Sequence, residues 1–126
     1  MNKIGFITTN KVLAQSLSSA IKARHDLGFE SYLLLNPNQA VLDAEVLKID
    51  IALVDVLNNA DCDAILSLCK ALRQNVPACR VFILISQEDK SGKSMAIKAV
   101  QGKIADDFVF SDASLEYLFA KLSAFK

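Results

Sequence analysis

Two uninterrupted runs of apolar residues constrain the fold of this chain more than any other feature. The first is Ile-Ala-Leu-Val at residues 51–54, and the second is Val-Phe-Ile-Leu-Ile at residues 81–85. A strand with one face in water alternates apolar and polar residues, so these continuous runs predict strands that are buried on both faces. Because such strands need helices above and below them, the two runs predict the centre of a parallel α/β sheet.

The remaining segments alternate between strand-like and helix-like patterns of apolar residues. The predicted strands are residues 3–8, 29–34, 49–56, 81–85 and 107–110. The predicted helices are residues 11–25, 39–47, 63–74 and 93–100, followed by a last helix with an apolar stripe from Leu115 to Phe125. Five strand-helix units predict one flavodoxin-like domain over residues 1–126: a doubly wound five-stranded parallel sheet of order 2-1-3-4-5, with helices on both faces.

Capping residues and apolar spacing refine the helices. Asn10 is predicted to cap the first helix and Asp112 the last. In the first helix, Val12, Leu17 and Ile21 belong to the stripe that is predicted to face the core. The fourth helix has only a weak apolar stripe, which is typical of an element that is mobile or faces a partner.

Charge and hydropathy exclude several classes of protein. Fourteen basic and fourteen acidic residues give a net charge of zero, with no basic run. This balance argues against a protein that binds nucleic acid or a membrane surface by itself. The apolar blocks are about six residues long, which is too short to cross a bilayer. The amino terminus also lacks a secretory signal pattern, so we expect a cytosolic protein.

Enzymatic chemistry has little support in the sequence. The chain has no Gly-x-Ser-x-Gly motif, no Cys-x-x-Cys pair and a single histidine, His25, near the predicted end of a helix. These features argue against a hydrolase or a thiol redox enzyme. Cys62, Cys69 and Cys79 are predicted to be buried free thiols. We therefore expect a protein that is not an enzyme.

The predicted strand order identifies one candidate site. Ligands of open α/β sheets collect at the carboxyl ends of the strands, where the strand order reverses. Asp55 lies at the carboxyl end of the predicted central strand and is the strongest candidate for chemistry there. The polar and loop residues predicted at or beyond strand ends on the same edge are Thr8, Thr9, Asp55, Leu57, Ser86 and Ser111.

Over essentially its whole length the chain resembles the receiver domain of bacterial response regulators. Asp50-Ile51-Ala52-Leu53-Val54-Asp55 resembles the third strand of that family, and Ile83-Leu84-Ile85-Ser86 the fourth. Residues 105–110, Ala-Asp-Asp-Phe-Val-Phe, resemble the fifth. The resemblance implies that Asp55 is a phosphoacceptor, that Ser86 and Phe108 are switch positions, and that Mg²⁺ would bind Asp55 and a backbone carbonyl near Leu57.

Two departures from the family pattern affect its chemistry. Thr8-Thr9 stand where receivers carry an acidic pair, and Ser111 stands where they carry a lysine. Mg²⁺ needs several hard oxygen ligands, and an aspartyl phosphate needs a nearby cation. We therefore expect an incomplete site that binds Mg²⁺ weakly, with no resident cofactor.

Neighbouring loops offer substitutes for the missing groups. Glu88 and Asp89 follow the fourth strand, and Asp112 follows the fifth, so each could supply an acid. Lys90 and Lys11 could supply the cation.

These observations favour a degenerate receiver-like signalling module of a two-component or phosphorelay system. It is expected to act by protein-protein interaction, with Asp55 phosphorylation impaired or lost. The resemblance implies a protein partner such as a histidine kinase, phosphotransfer protein or output protein, bound through the fourth helix, fifth strand and fifth helix. The same face is a candidate for pairing two copies.

Two alternatives stay open. In the first, the chain is a phosphorylatable regulator that uses Asp55 despite the departures. In the second, the edge binds FMN or another small phosphate-containing ligand, because Thr8-Thr9-Asn10 precede a helix amino terminus.

Overall fold

A five-stranded parallel sheet organises the computed structural model, which describes residues 2–56 and 61–125. Its strand order is β2-β1-β3-β4-β5. The predicted fold and strand order are therefore confirmed. The strands are β1 (Asn2–Ile7), β2 (Phe29–Leu34), β3 (Ile51–Asp55), β4 (Arg80–Ile85) and β5 (Asp107–Phe110).

Helices connect successive strands as the alternating pattern predicted. They are α1 (Lys11–Ala23), α2 (Ala40–Leu47), α3 (Cys62–Asn75), α4 (Lys90–Gln101) and α5 (Leu115–Ser123). The largest difference from prediction is at α4, which begins three residues earlier than expected. Asp89 causes this early start, because its side chain caps the helix by accepting a hydrogen bond from the Gly92 amide at 2.9 Å.

The buried side chains form two layers, one on each side of the sheet. Ala52 and Val54 of β3 pack in the layer under α2, α3 and α4. Ile51 and Leu53 pack in the opposite layer, under α1 and α5. The same division applies to β4. Both faces of these strands are thus covered, which explains why their sequences are continuously apolar.

The buried face of α1 differs from the predicted one. Ala14, Leu17, Ser18 and Ile21 are buried, at the spacing i, i+3, i+4 and i+7 of one helical stripe. Val12 falls outside that stripe and is 74% exposed, so its prediction as a core residue was wrong. The hydroxyl of the buried Ser18 lies 2.7 Å from that of the partly buried Ser31, and the two form a hydrogen bond.

Helix ends also depart from the predictions. The helix α1 ends at Ala23, so His25 lies beyond it in a short 3₁₀ turn. Ser114, not Asp112, caps α5, since its hydroxyl accepts a hydrogen bond from the Tyr117 amide at 3.2 Å. Leu115 is then the first residue of the helix and is largely exposed, while the buried stripe begins at Leu118.

All three thiols are free, but only two are buried. Burial raises the pKa of Cys69 and of Cys79 to about 12, so both are inert near neutral pH. Cys62 is the first residue of α3 and is only partly buried. Its predicted burial was wrong because the first turn of a helix covers little of the sheet.

The carboxylate of Asp106 connects α3 to β4 and to the segment before β5. Asp106 accepts a hydrogen bond from the amide of Val81 at 2.7 Å and forms an ion pair with Arg73 at 3.0 Å. Arg73 also donates to the carbonyl of Ile104 at 3.1 Å. Three elements, α3, β4 and the segment before β5, are therefore joined at this point.

Among the helices of residues 2–56 and 61–125, none is long and apolar enough to span a membrane.

Candidate functional site at the carboxyl edge of the sheet

Strand register brings Thr8 and Asp55 together. Ile7 of β1 pairs with Val54 of β3, and each strand ends near that position. The next residue of each chain segment, Thr8 and Asp55, therefore lies at the same level of the sheet edge. The predicted meeting of the first and third strand ends is found in the structure.

A hydrogen bond joins the two side chains. The hydroxyl of Thr8 donates to Oδ2 of Asp55 at 2.7 Å. The same hydroxyl oxygen accepts a hydrogen bond from the amide of Asn10 at 2.9 Å. Asn10 in turn caps α1, with its side chain accepting from the amide of Leu13 at 3.1 Å. A chain of hydrogen bonds therefore runs from the start of α1 through Thr8 to Asp55.

Burial determines the electrostatics of Asp55. Thr8 is almost fully buried, and Asp55 is half-buried beside it. Loss of water raises the pKa of the Asp55 carboxyl above its usual value, while the hydrogen bond from Thr8 opposes that rise. Among residues 2–56 and 61–125, the side chain that donates to this carboxylate is the neutral Thr8.

The other predicted polar residues of the edge make local contacts. The hydroxyl of Ser86 accepts a hydrogen bond from the amide of Glu88 at 3.3 Å, within the turn that follows β4. Thr9 is exposed. Ser111 is also exposed, and its amide donates to the carbonyl of Ile85 at 2.7 Å. Leu57, the predicted source of a metal-binding carbonyl, lies outside the described residues.

Phe108 lies on β5 and is partly buried against the layer of α2, α3 and α4. Its ring meets that of Phe110 edge to face, with centroids 5.8 Å apart. The amine of Lys93 lies 5.6 Å from the centroid of the Phe110 ring, within the range of a cation-π contact. The two aromatic rings therefore link β5 to α4.

The residues suggested as substitutes for the missing acids and lysine have other surroundings. The carboxylate of Asp89 caps α4, whereas Glu88 and Asp112 are exposed. Lys90 lines a groove between α3 and α4. Within residues 2–56 and 61–125, His, Cys, Asp and Glu side chains form no group of three or more that could hold a metal ion.

Two features of this region were missed from the sequence. The hydrogen bond from Asn10 to Thr8 depends on the turn between β1 and α1, and no sequence pattern identifies it. The groove between α3 and α4 was also missed, although Lys90, Ser94 and Lys98 recur at i, i+4 and i+8. That spacing signals one polar ridge along a helix.

No protein-family model and no curated protein matches this chain. Solved structures do match. A two-component response regulator from Clostridium difficile is 24% identical over 99% of this chain and 95% of its own, with a TM-score of 0.76. The chemotaxis protein CheY4 of Vibrio cholerae is 16% identical over 100% of this chain and 99% of its own, with a TM-score of 0.77.

A response regulator from Burkholderia pseudomallei, solved with a phosphorylated aspartic acid, a calcium ion and citrate, is also similar. It is 24% identical over 100% of this chain and 67% of its own, with a TM-score of 0.74. All three similarities extend over the complete sheet and its helices. The chain therefore has the CheY-like fold of response-regulator receiver domains.

Proposed function

We propose that this chain is a receiver-like signalling module that acts in the cytosol by docking to a protein partner, with Mg²⁺-dependent phosphorylation of Asp55 impaired or lost. The hydrogen bond from Thr8 to Asp55 is the observation that carries this proposal. It places a neutral hydroxyl against the carboxylate, at a position where the resemblance implies an acid that helps to hold the metal.

The donor set at this edge fits Mg²⁺ poorly. Mg²⁺ prefers about six hard oxygen ligands in octahedral geometry, usually including one or two carboxylates. In the described part of the edge, Asp55 supplies one carboxylate, and the hydroxyl of Thr8 already bonds both Asp55 and the amide of Asn10. A phosphoryl group arriving at Asp55 would meet neither a second acid with its metal nor the usual lysine.

The Burkholderia relative gives a useful contrast. Its structure holds a phosphorylated aspartic acid together with a calcium ion. Phosphorylation and a cation thus occur together in that protein. Under the proposed function, this chain keeps the receiver fold but lacks the groups that would neutralise the charge of a phosphate.

The phosphorylation test compares three proteins by intact mass after treatment with acetyl phosphate and Mg²⁺. We expect no phosphate-sized mass gain for the wild type or for Asp55→Asn. A variant that combines Thr8→Asp, Thr9→Asp and Ser111→Lys restores the family pattern, and we expect it to gain the mass. A gain in wild type that Asp55→Asn abolishes would instead establish a phosphorylatable regulator.

The proposed docking surface, called here the output face, consists of α4, β5 and α5. Ile97, Leu115 and Tyr117 are large apolar side chains exposed on its helices. Exposed aromatic and aliphatic residues of this kind supply most of the affinity at protein interfaces. A histidine kinase, phosphotransfer protein or output protein is the class of partner that the receiver fold suggests.

The docking test measures the affinity of a co-purified partner by titration against surface variants. Tyr117→Ala and Ile97→Ser are expected to weaken binding by roughly tenfold or more, because each removes an interface anchor. Val12→Ser is the control, since Val12 is also apolar and is more exposed than either residue but lies on α1. Unchanged affinity in both output-face variants would refute this assignment.

A further inference from the structure

A groove between α3 and α4 is a surface feature that the proposed function does not explain. It has a volume of about 470 Å³, within the range of pockets that bury a drug-sized molecule and ample for two aliphatic side chains. Its lining combines apolar and thiol groups with hydroxyl and ammonium groups: Cys62 and Leu66 from α3, and Lys90, Ser94, Met95 and Lys98 from α4.

The α4 wall of this groove is basic. The helix contains three lysines and no acid. Lys90 and Lys98, which line the groove, form no ion pair with any residue in the described part of the chain. They are eight residues apart on one side of the helix, a distance of about 12 Å along its axis. The groove therefore presents the ammonium groups of Lys90 and Lys98 beside apolar side chains. The apolar lining residues, Leu66 and Met95, are called here the apolar floor.

The helix α2 has the complementary character. It contains two acids, Asp43 and Glu45, and no basic residue. Leu42 and Val46, one helical turn apart, are 57% and 71% exposed. Neither acid pairs with a cation among residues 2–56 and 61–125. An acidic helix with an exposed apolar ridge is an unusual surface for a domain that works alone.

We propose that α2 of one copy of this chain packs into the α3–α4 groove of a second copy. Leu42 and Val46 would cover the apolar floor, and the acids of α2 would face the lysines of α4. We choose a second copy as the occupant because α2 of this chain complements the groove. Its acids are opposite in charge to the lysines of α4, and its apolar ridge suits the apolar floor. Both surfaces lie on the same side of the sheet, so a twofold pair can form the same contact twice.

This self-association goes beyond the proposed docking function. It uses α2, α3 and the groove side of α4, whereas the output face centres on Tyr117, Leu115 and Ile97. It also requires no phosphorylation of Asp55. Each proposal can therefore fail without the other.

The first experiment measures the dimer dissociation constant by sedimentation equilibrium, in reducing buffer so that Cys62 cannot cross-link the copies. Leu42→Ser and Val46→Ser are each expected to raise that constant roughly tenfold or more, since each removes an apolar contact. Val12→Ser, on the opposite side of the sheet, is the control and is expected to leave the constant unchanged. Circular dichroism checks that each variant remains folded.

The second experiment uses charge reversal. Glu45→Lys and Lys98→Glu are each expected to weaken self-association, because each places like charges across the contact. An equimolar mixture of the two variants is expected to associate as strongly as wild type. In the mixed pair, one contact has its charges exchanged and the other has its original charges, so both contacts are attractive.

Three outcomes would overturn the proposal. The first is a wild-type protein that stays monomeric into the high micromolar range. The second is a dimer that Leu42→Ser and Val46→Ser leave intact but Tyr117→Ala disrupts, which would place the interface on the output face. The third is a mixture of the charge variants that fails to associate although each variant is folded.

Discussion

Asp55 loses part of its hydration in the folded chain, and Thr8 returns only one hydrogen bond to it. At the scale of single residues, this incomplete replacement of water determines how the charge of Asp55 affects the free energy of unfolding. The charged form is disfavoured in the folded state, because burial raises the pKa of the carboxyl. The folded state therefore binds a proton at Asp55 more readily than the unfolded state does.

Asp55→Asn is expected to raise the free energy of unfolding at neutral pH by about 1 kcal/mol or less, since water still screens the half-buried group. The pKa is higher in the folded state, so wild type regains this deficit as the pH falls through the titration of the carboxyl. Urea unfolding across a pH series measures the difference between the two proteins. Equal stability of Asp55→Asn and wild type at neutral pH would contradict the expectation.

Thr8→Val tests the hydroxyl itself. The variant keeps the shape of the side chain but removes the donor to Asp55 and the acceptor for the amide of Asn10. Buried groups that lose their partners cost about 1–3 kcal/mol. We expect a loss of that size in urea unfolding, while Thr8→Ser, which keeps the hydroxyl, should lose less than half as much. Similar losses in both variants would show that packing matters more than the hydrogen bonds.

At the scale of elements, Asp106 connects α3, β4 and the segment before β5. Asp106→Ala leaves the amide of Val81 without its acceptor and the part-buried Arg73 without its ion pair. The expected loss in the free energy of unfolding is about 2–4 kcal/mol. Arg80→Ala is the matched control, because Arg80 is half exposed and lies 3.7 Å from the same carboxylate. A loss for Arg80→Ala as large as that for Asp106→Ala would contradict this division of roles.

Element positions were predictable because apolar spacing is a local signal. The continuous runs in β3 and β4 identified the central strands, and the strict alternation predicted a doubly wound parallel sheet, for which 2-1-3-4-5 is one of the common strand orders. The exposed position of Val12 and the cap at Ser114 were not predictable in the same way. Which side of a helix meets the sheet, and which of two nearby polar residues caps it, depends on the packing angle of the whole element.

The candidate site was predictable at a coarser level. Its location at the strand ends follows from the fold, and Thr8 and Asp55 do meet there. The contacts of Ser86 and the capping role of Asp89 depend on turn geometry, which the sequence specifies only weakly. Sequence therefore identified the edge and its acid but not the hydrogen-bond partners.

At the scale of the whole molecule, two apolar layers share the same central strands. Phe82 of β4 packs in the layer of α1 and α5, and its neighbour Ile83 packs in the layer of α2, α3 and α4. The ring of Phe125 meets that of Phe82 edge to face, with centroids 4.9 Å apart, so the segment after α5 also belongs to the core. The two layers are therefore built on alternate residues of the same strands.

The two layers are expected to unfold in one cooperative transition. Phe82→Leu and Ile83→Val each alter a different layer and should each lower the free energy of unfolding by about 1 kcal/mol. Urea unfolding curves followed by circular dichroism and by hydrogen exchange should coincide for both variants. Separate transitions, or loss of protection on only one side of the sheet, would show that the layers are independent.

The hydroxyl beside Asp55 also bears on how such a protein is controlled in a cell. Clustered carboxylates repel one another, and a bound cation relieves that repulsion, so stability at such a site follows the supply of the cation. A threonine needs no such relief, and we expect the same melting temperature in a chelator as in millimolar magnesium. If Asp55 is not phosphorylated, as we propose, a module of this kind would always be in its working form. Its influence would then be set by synthesis and turnover, as for a scaffold, and not by a chemical signal that arrives and decays.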